Sequence, residues 1–142
     1  MEIKVKYFST EIKPLEMTAK GNWVDLRSAV NQKLKAGDFV YIPLGVGMIL
    51  PDGYEALIAP RSSTFKNFGI IITNSPGVVD SSYRGDGDQW ACAAYALRDT
   101  EINVNDRICQ FRIIESQPQL TFMPVEKLDD TDRGGFGSTG RS

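Results

Sequence analysis

The sequence predicts an all-β domain, a sandwich or barrel carrying at most one short helix. Short runs rich in β-branched and aromatic residues recur along its 142 residues. Thirteen glycines and seven prolines separate those runs at close intervals. Helical periodicity is nearly absent. The length suits one domain with one real core, given a prior of ~150 residues per domain.

The elements follow in chain order. Ile3-Lys4-Val5-Lys6-Tyr7 alternates with period two and predicts a half-buried strand. Ser28–Leu34 is a weak helical candidate, because Val30 and Asn31 are poor helix formers. Phe39–Ile42 and Val46–Leu50 predict two strands, and Pro51-Asp52-Gly53 predicts the turn into a third, Tyr54–Ala59. Ser62–Phe68 is the best helical candidate, one or two turns long: a serine can cap it, and Phe65 and Phe68 share a face. Gly69–Thr73, Trp90–Leu97, Ile102–Val104, Ile108–Ile114 and Leu120–Val125 predict the remaining strands. The last 14 residues hold four glycines and one apolar residue, Phe136, so composition alone reads them as a disordered tail. The chain therefore divides into a β-rich core, 1–128, and a glycine-rich arm, 129–142.

Composition removes whole classes of chemistry. Sixteen basic against 18 acidic residues give a net charge of −2, which argues against a nucleic-acid or anionic-membrane partner. There is no histidine, so Ser-His-Asp triads, Cys-His dyads and HExxH zinc sites are excluded. General-base work falls to a carboxylate, Lys, Tyr or Cys. Cys92 and Cys109 lie in apolar segments without a CxxC, and read as buried free thiols of a reducing cytosol. The N-terminus has no signal-peptide core, and the longest apolar run, Trp90–Leu97, is too short to span a membrane. The expected location is cytoplasmic.

Several segments could carry chemistry. Gly135-Phe136-Gly137-Ser138-Thr139-Gly140 matches GxGxxG but lacks the strand–helix unit of a dinucleotide fold. Asp130-x-Asp132 opens like a calcium loop whose twelfth position is Arg141 instead of Glu. Pro60-Arg61-Ser62-Ser63-Thr64 ends a strand at a possible helix start, where free N–H groups and hydroxyls suit an anion. Gly77-Val78-Val79-Asp80-Ser81-Ser82-Tyr83-Arg84-Gly85-Asp86 places a carboxylate three residues before a tyrosine in a turn-rich loop. Asp106-Arg107-Ile108-Cys109-Gln110 starts a further strand.

Taken in order, these segments resemble the trimeric dUTPase family (deoxyuridine triphosphate nucleotidohydrolases). Gly21-Asn22-Trp23-Val24-Asp25-Leu26-Arg27-Ser28-Ala29 is similar to its first motif and Pro60–Ser63 to its second. Gly77–Asp86 is similar to the third, Arg107–Gln110 to the fourth and Arg133–Gly140 to the fifth. The resemblance implies a homotrimer of jelly-roll subunits that hydrolyses dUTP to dUMP and pyrophosphate. Each site would draw on all three chains, with the arm closing over a neighbour.

Residue by residue, the resemblance makes Asp80 the catalytic carboxylate that deprotonates the water attacking the α-phosphorus. An ionised Asp is the natural base in a chain without His. Tyr83 would pack beneath the deoxyribose and exclude a 2′-hydroxyl. The hairpin from about Asn74 to Tyr83, with Gly77 and Val79 in it, would hold uracil. Asn74 offers donor and acceptor to the base, or else serves as a turn residue. Ser62 and Ser63 would bind phosphates and stabilise the leaving pyrophosphate. Arg61 would brace the site, against Asp80 or a neighbouring chain. Gln110 would contact phosphate or water, or simply stand in solvent. Asp25 reads as a structural residue behind the site. In the arm, Phe136 would stack over uracil, Arg133 would meet the γ-phosphate, and Gly137, Ser138 and Thr139 would lie near the phosphates. Mg²⁺ would be held by the substrate phosphates and waters, with no direct protein ligand.

Two features depart from the family pattern. The fifth motif is compressed between Arg133 and Phe136, and the first lacks the Ala-Gly before its aromatic residue and Asp. Both are similar to a branch of short dUTPases in Gram-positive bacteria and their phages. The same fold also serves dCTP deaminases, but Asp80-Ser81-Ser82-Tyr83 favours dUTP hydrolysis. A regulatory role through binding a phage or host repressor is the alternative of a different class.

Overall fold

Period-two patterning dominates the chain. The computed structural model describes residues 1–135 as eleven strands and one helix. The strands are β1 (Lys4–Tyr7), β2 (Val24–Arg27), β3 (Gln32–Leu34), β4 (Phe39–Pro43), β5 (Val46–Ile49) and β6 (Tyr54–Ala59). After α1 (Thr64–Phe68) come β7 (Ile70–Ile72), β8 (Gly77–Val79), β9 (Ala91–Ala96), β10 (Thr100–Ile102) and β11 (Arg107–Glu115). A four-stranded sheet runs β2-β11-β6-β8 and a three-stranded sheet β4-β9-β7, with two-stranded ladders β1-β5 and β10-β3 beside them. Every pairing is antiparallel. This is the all-β, jelly-roll architecture that the sequence predicts.

The core lies between the sheets. Leu26, Ile42, Leu44, Ile58, Ile70, Ile102, Ile108 and Phe111 are buried there with Trp90, whose ring meets Phe111 edge-on at 5.2 Å. Alternation selects these residues: on β11, Cys109 and Phe111 are buried while Arg112 is exposed. Two glycines are required by geometry. Gly69 ends α1 at φ +62°, where a Cβ would stand 2.5 Å from the Arg98 side chain. At Gly47 a Cβ would come within 2.7 Å of the Asp88 carbonyl, so only glycine lets β5 pass beneath the loop leading to Trp90.

The helix is five residues long, and its cap differs from the expected one. Ser63 sits at the N-cap without a side-chain cap bond. The buried Thr64 hydroxyl accepts from the Arg61 N–H at 2.7 Å and donates to the Ile108 carbonyl at 3.0 Å, tying the helix start to β11.

The structure corrects the expected elements in five places. Gln32–Leu34, inside the weak helical candidate, is β3 and pairs with β10: Leu34 buries its side chain and three residues suffice for a ladder rung. Val24–Arg27 and Gly77–Val79 form strands where only motifs were read, because each finds a partner distant in sequence. The strand expected at Ile102–Val104 begins earlier, at Thr100. Leu120–Val125 forms no strand: Pro124 interrupts it, and Phe122 is 85% and Met123 81% exposed. No helix among the described residues is long and apolar enough to cross a membrane.

Candidate active site

Strand β6 carries a polar group at each end. Its C-terminal end meets the first cluster. Register pairs Gln110 of β11 with Asp25 of β2 on one side and with Ala59 of β6 on the other, so Asp25 and Gln110 stand on one face beside Pro60–Ser63. Asp25 takes the Arg61 guanidinium at 2.9 Å and that of Arg107 at 3.5 Å. Arg61 also donates to the Ser63 hydroxyl at 3.4 Å and to the Arg107 carbonyl at 3.3 Å, and the Gln110 amide donates to the Pro60 carbonyl at 3.0 Å. Within the chain, the partner of Arg61 is thus Asp25, in place of the expected Asp80. Asp25 is the structural residue anticipated, since it holds two guanidiniums at the base of the Ser62–Ser63 turn.

The second cluster is a cavity of about 440 Å³ lined by β8 of one sheet and by the start of β9, the central strand of the other. Asn74, Gly77, Val79, Asp80 and Tyr83 all line it, so the structure joins every residue expected of the hairpin. A Cβ on Gly77 would lie 3.5 Å from the Asn74 amide nitrogen, which places that side chain against the strand. The Asp80 carbonyl accepts from the Tyr83 N–H at 3.0 Å, closing a turn, and the Tyr83 hydroxyl donates to the Gln89 carbonyl at 3.0 Å. Tyr83 is therefore held through its backbone N–H and its hydroxyl, on the cavity wall.

Asp80 is exposed. One of its carboxylate oxygens accepts the Ser82 N–H at 2.8 Å. The Ser82 N–H, reinforced by the Ser82 hydroxyl, holds the carboxyl below its ordinary value of 3.8 against a weak opposing effect of burial. Asp80 is ionised at neutral pH and free to accept a proton from water. The thiol of Cys109, next to Gln110, is pushed up by the neighbouring Cys92 thiol and by burial. It stays protonated and is no nucleophile.

The two clusters do not meet in one chain. Val79 pairs with Ala56, so Asp80 lies at the Glu55 end of β6, roughly 17 Å along the strand from Pro60 at ~3.3 Å per residue. Arg133 lies on the exposed stretch after β11 and lines neither cluster. Phe136, Gly137, Ser138 and Thr139 lie outside the described residues. Further cavity walls come from Tyr41, Trp90, Ala91, Cys92 and Ala93, which sequence reasoning assigned only to strands, and from Gln89, which it assigned to no element. The run of small residues in Trp90–Leu97, where bulky ones would fill a core strand, was the available signal.

Among the described residues no three His, Cys, Asp or Glu side chains gather as a metal site. The carboxylate at the cavity is that of Asp80, and a hard cation needs about six oxygens. This donor set suits a cation whose other oxygens arrive with a polyphosphate.

Comparisons with known proteins agree with this geometry. A family model described as dUTPase matches residues 16–140. The chain is 52% identical over 140 residues to the SPbeta prophage-derived deoxyuridine 5′-triphosphate nucleotidohydrolase YosS of Bacillus subtilis, covering 99% of both chains. It is 40% identical over 121 residues to the deoxyuridine 5′-triphosphate nucleotidohydrolase of Neorickettsia sennetsu, covering 82% of this chain and 80% of that one. Its fold is similar to Staphylococcus bacteriophage 80alpha dUTPase with dUPNHPP at TM-score 0.79, 21% identity and 98% coverage of both chains; that work describes phage dUTPases controlling transfer of virulence genes by a G protein-like mechanism. It is also similar to a mutant dUTPase of the S. aureus phage phi11, which coordinates a structural Mg(II) ion, at TM-score 0.75 and 19% identity, covering 89% of this chain and 98% of that one.

Proposed function

The chain belongs to the dUTPase family, and from that premise we propose that it hydrolyses dUTP to dUMP and pyrophosphate with Asp80 as general base. The observation that carries the assignment of the base is an exposed carboxylate, kept ionised by Ser82, on the wall of a cavity that Tyr83 also lines.

The hairpin residues Asn74, Gly77 and Val79 receive uracil, their amide groups matching its N3–H and carbonyl edge. Tyr83, held by the Gln89 carbonyl, packs against C2′ and leaves no room for a 2′-hydroxyl. Asp80 orients a water in line with the α-phosphorus and takes its proton as the O–P bond forms. The bond to the β-phosphate bridge breaks, and the negative charge moves onto pyrophosphate. Ser62, Ser63 and Gln110 meet that charge with N–H and O–H donors, on a platform that Asp25 and Arg61 keep rigid. No side chain of this chain would ligate Mg²⁺ directly; held by the substrate phosphates and waters, it would supply charge neutralisation there.

The separation of the clusters along β6 supports a composite site. Asp80 of one copy works with Ser62, Ser63 and Gln110 of another, in a homotrimer. The arm, 129–142, brings Arg133 toward the γ-phosphate, Phe136 over uracil, and Gly137, Ser138 and Thr139 to the phosphates of a neighbouring site. The cytoplasm is the proposed location, and its reducing conditions suit the buried free thiols Cys92 and Cys109. Binding a repressor-type protein is an added role, tested by whether an inactive Asp80→Ala variant still captures such a partner.

The test of function is pyrophosphate release with Mg²⁺ from dUTP, dTTP, dCTP and UTP in parallel. Release from dUTP alone is expected. Loss of dCTP with ammonia release would transfer the chain to deamination, and inactivity on all four would remove the hydrolase reading.

A further inference from the structure

Tyr41 belongs to none of the sequence motifs, yet it lines the same cavity as Asn74, Asp80 and Tyr83. Strand register explains its position. Tyr41 on β4 pairs with Ala93 on β9, and the Ala93 carbonyl accepts the Thr73 N–H at 3.0 Å from the opposite side. Tyr41, Ala93 and Thr73 therefore form one row across the sheet, and Asn74 follows directly. Side chains paired in this way share a face. With a methyl group at Ala93, nothing as large as the Tyr41 ring stands beside it in that row.

The ring is presented to solvent and still ordered. Tyr41 is 69% exposed, and Phe39, two residues earlier on the same face, meets it edge-on at 5.1 Å and 73°. Its backbone is held in the β4–β9 ladder. Its hydroxyl has no hydrogen-bond partner among the described residues. A rigid strand thus carries a fixed aromatic plane and a free donor-acceptor to the edge of a nucleoside-sized cavity.

We propose that Tyr41 is a substrate-contacting residue, whose ring packs against the nucleoside and whose hydroxyl meets a polar atom of the nucleotide. The proposal rests on the cavity being the dUTP site. Tyr41 makes the same contact in the ground state and in the transition state, so it acts on affinity and leaves the chemical step alone. It also supplies a wall opposite the hairpin that the motif residues do not provide.

The test compares wild type with Tyr41→Ala and Tyr41→Phe in the full chain. The readouts are steady-state dUTP hydrolysis, calorimetric titration with dUMP, and mass by light scattering. Tyr41→Ala is expected to raise KM for dUTP and Kd for dUMP about tenfold, with kcat within about twofold of wild type. Tyr41→Phe should fall between the two, since it keeps the ring and loses the hydroxyl. Unchanged KM and Kd in a Tyr41→Ala protein of wild-type mass overturns the proposal. Loss of the wild-type mass overturns it too and makes Tyr41 a subunit contact. Wild type is titrated with dUMP alongside, so failure of the dUTP reading appears in wild type and failure of the Tyr41 proposal only in the variants.

Discussion

The two ends of β6 are built on opposite principles. At the Glu55 end, the Asp80 hairpin leaves its carboxylate exposed, and Ser82, two residues on, steadies it through its N–H and hydroxyl. At the Pro60 end, Arg61, Asp25, Arg107 and Gln110 are engaged with one another and with backbone carbonyls. One end presents reactive chemistry, and the other a braced platform from which Ser62 and Ser63 project. Phosphoryl transfer needs both, since it depends on a positioned nucleophile and on fixed electrostatics around the leaving group. The chain holds the two halves apart, and assembly of copies is the economical way to join them.

Breaking each half in turn sharpens the contrast. The largest effect is expected from Asp80→Asn: kcat for dUTP should fall by about 10²–10⁴-fold, while Kd for dUMP stays near wild type. Comparable turnover would remove Asp80 as the base. Truncation after Leu128 should follow, with kcat/KM down about a hundredfold and the assembly intact by light scattering. Normal activity would return the arm to a tail without function.

On the platform side, Asp25→Ala should lower kcat/KM about tenfold through misplacement of Arg61 and Ser63. Its cost in stability should be small, about 0.5–1 kcal/mol by denaturant melts, because the ion pairs are partly exposed. A stability loss without a kinetic one would make the platform merely structural. Tyr83→Ala should raise UTP turnover relative to dUTP about tenfold, and unchanged discrimination in competition assays would end its role at the sugar.

The smallest effect concerns pH. Ser82 favours the charged form of Asp80, so the midpoint of the protonation that disables the base lies below the ordinary carboxylate value of 3.8. As pH falls toward that range, the base is lost; above it, the base is fully ionised. The kcat profile should be flat in this group's contribution at neutral pH, and Ser82→Ala should move its acid limb toward higher pH. Ser82→Ala removes the hydroxyl and keeps the Ser82 N–H, so the move should be small; a shift toward lower pH would detach the limb from Asp80.

The strands were legible where alternation or apolar content was strong: Tyr54–Ala59 coincides with β6, and the Ile3–Tyr7 reading contains β1. Short strands such as β2, β3 and β8 were not legible, because three or four residues carry no period and their pairing is long-range. Leu120–Val125 reads as a strand from its apolar content, but a strand needs a partner and Pro124 withholds a donor. The hairpin residues were legible together, since Asn74–Tyr83 is contiguous. The platform was only half legible: Arg61, Ser63 and Gln110 come from motifs, but the Asp25–Arg61 pair depends on the β2–β11 register. The Tyr41 wall was invisible, because a strand residue does not announce which cavity its face borders, and the Ala93 wall left only the signal of small residues in Trp90–Leu97.

The claim that the site is assembled from halves on different copies is tested most directly by complementation. Asp80→Asn and Ser62→Ala/Gln110→Ala chains, each nearly inactive alone, are co-expressed and their pyrophosphate release from dUTP is measured. The account predicts recovery, because an equal random mixture of trimers regains an intact pair of halves in about a quarter of all its sites. Activity no higher than the average of the two parents, in assemblies verified to contain both chains, would contradict it.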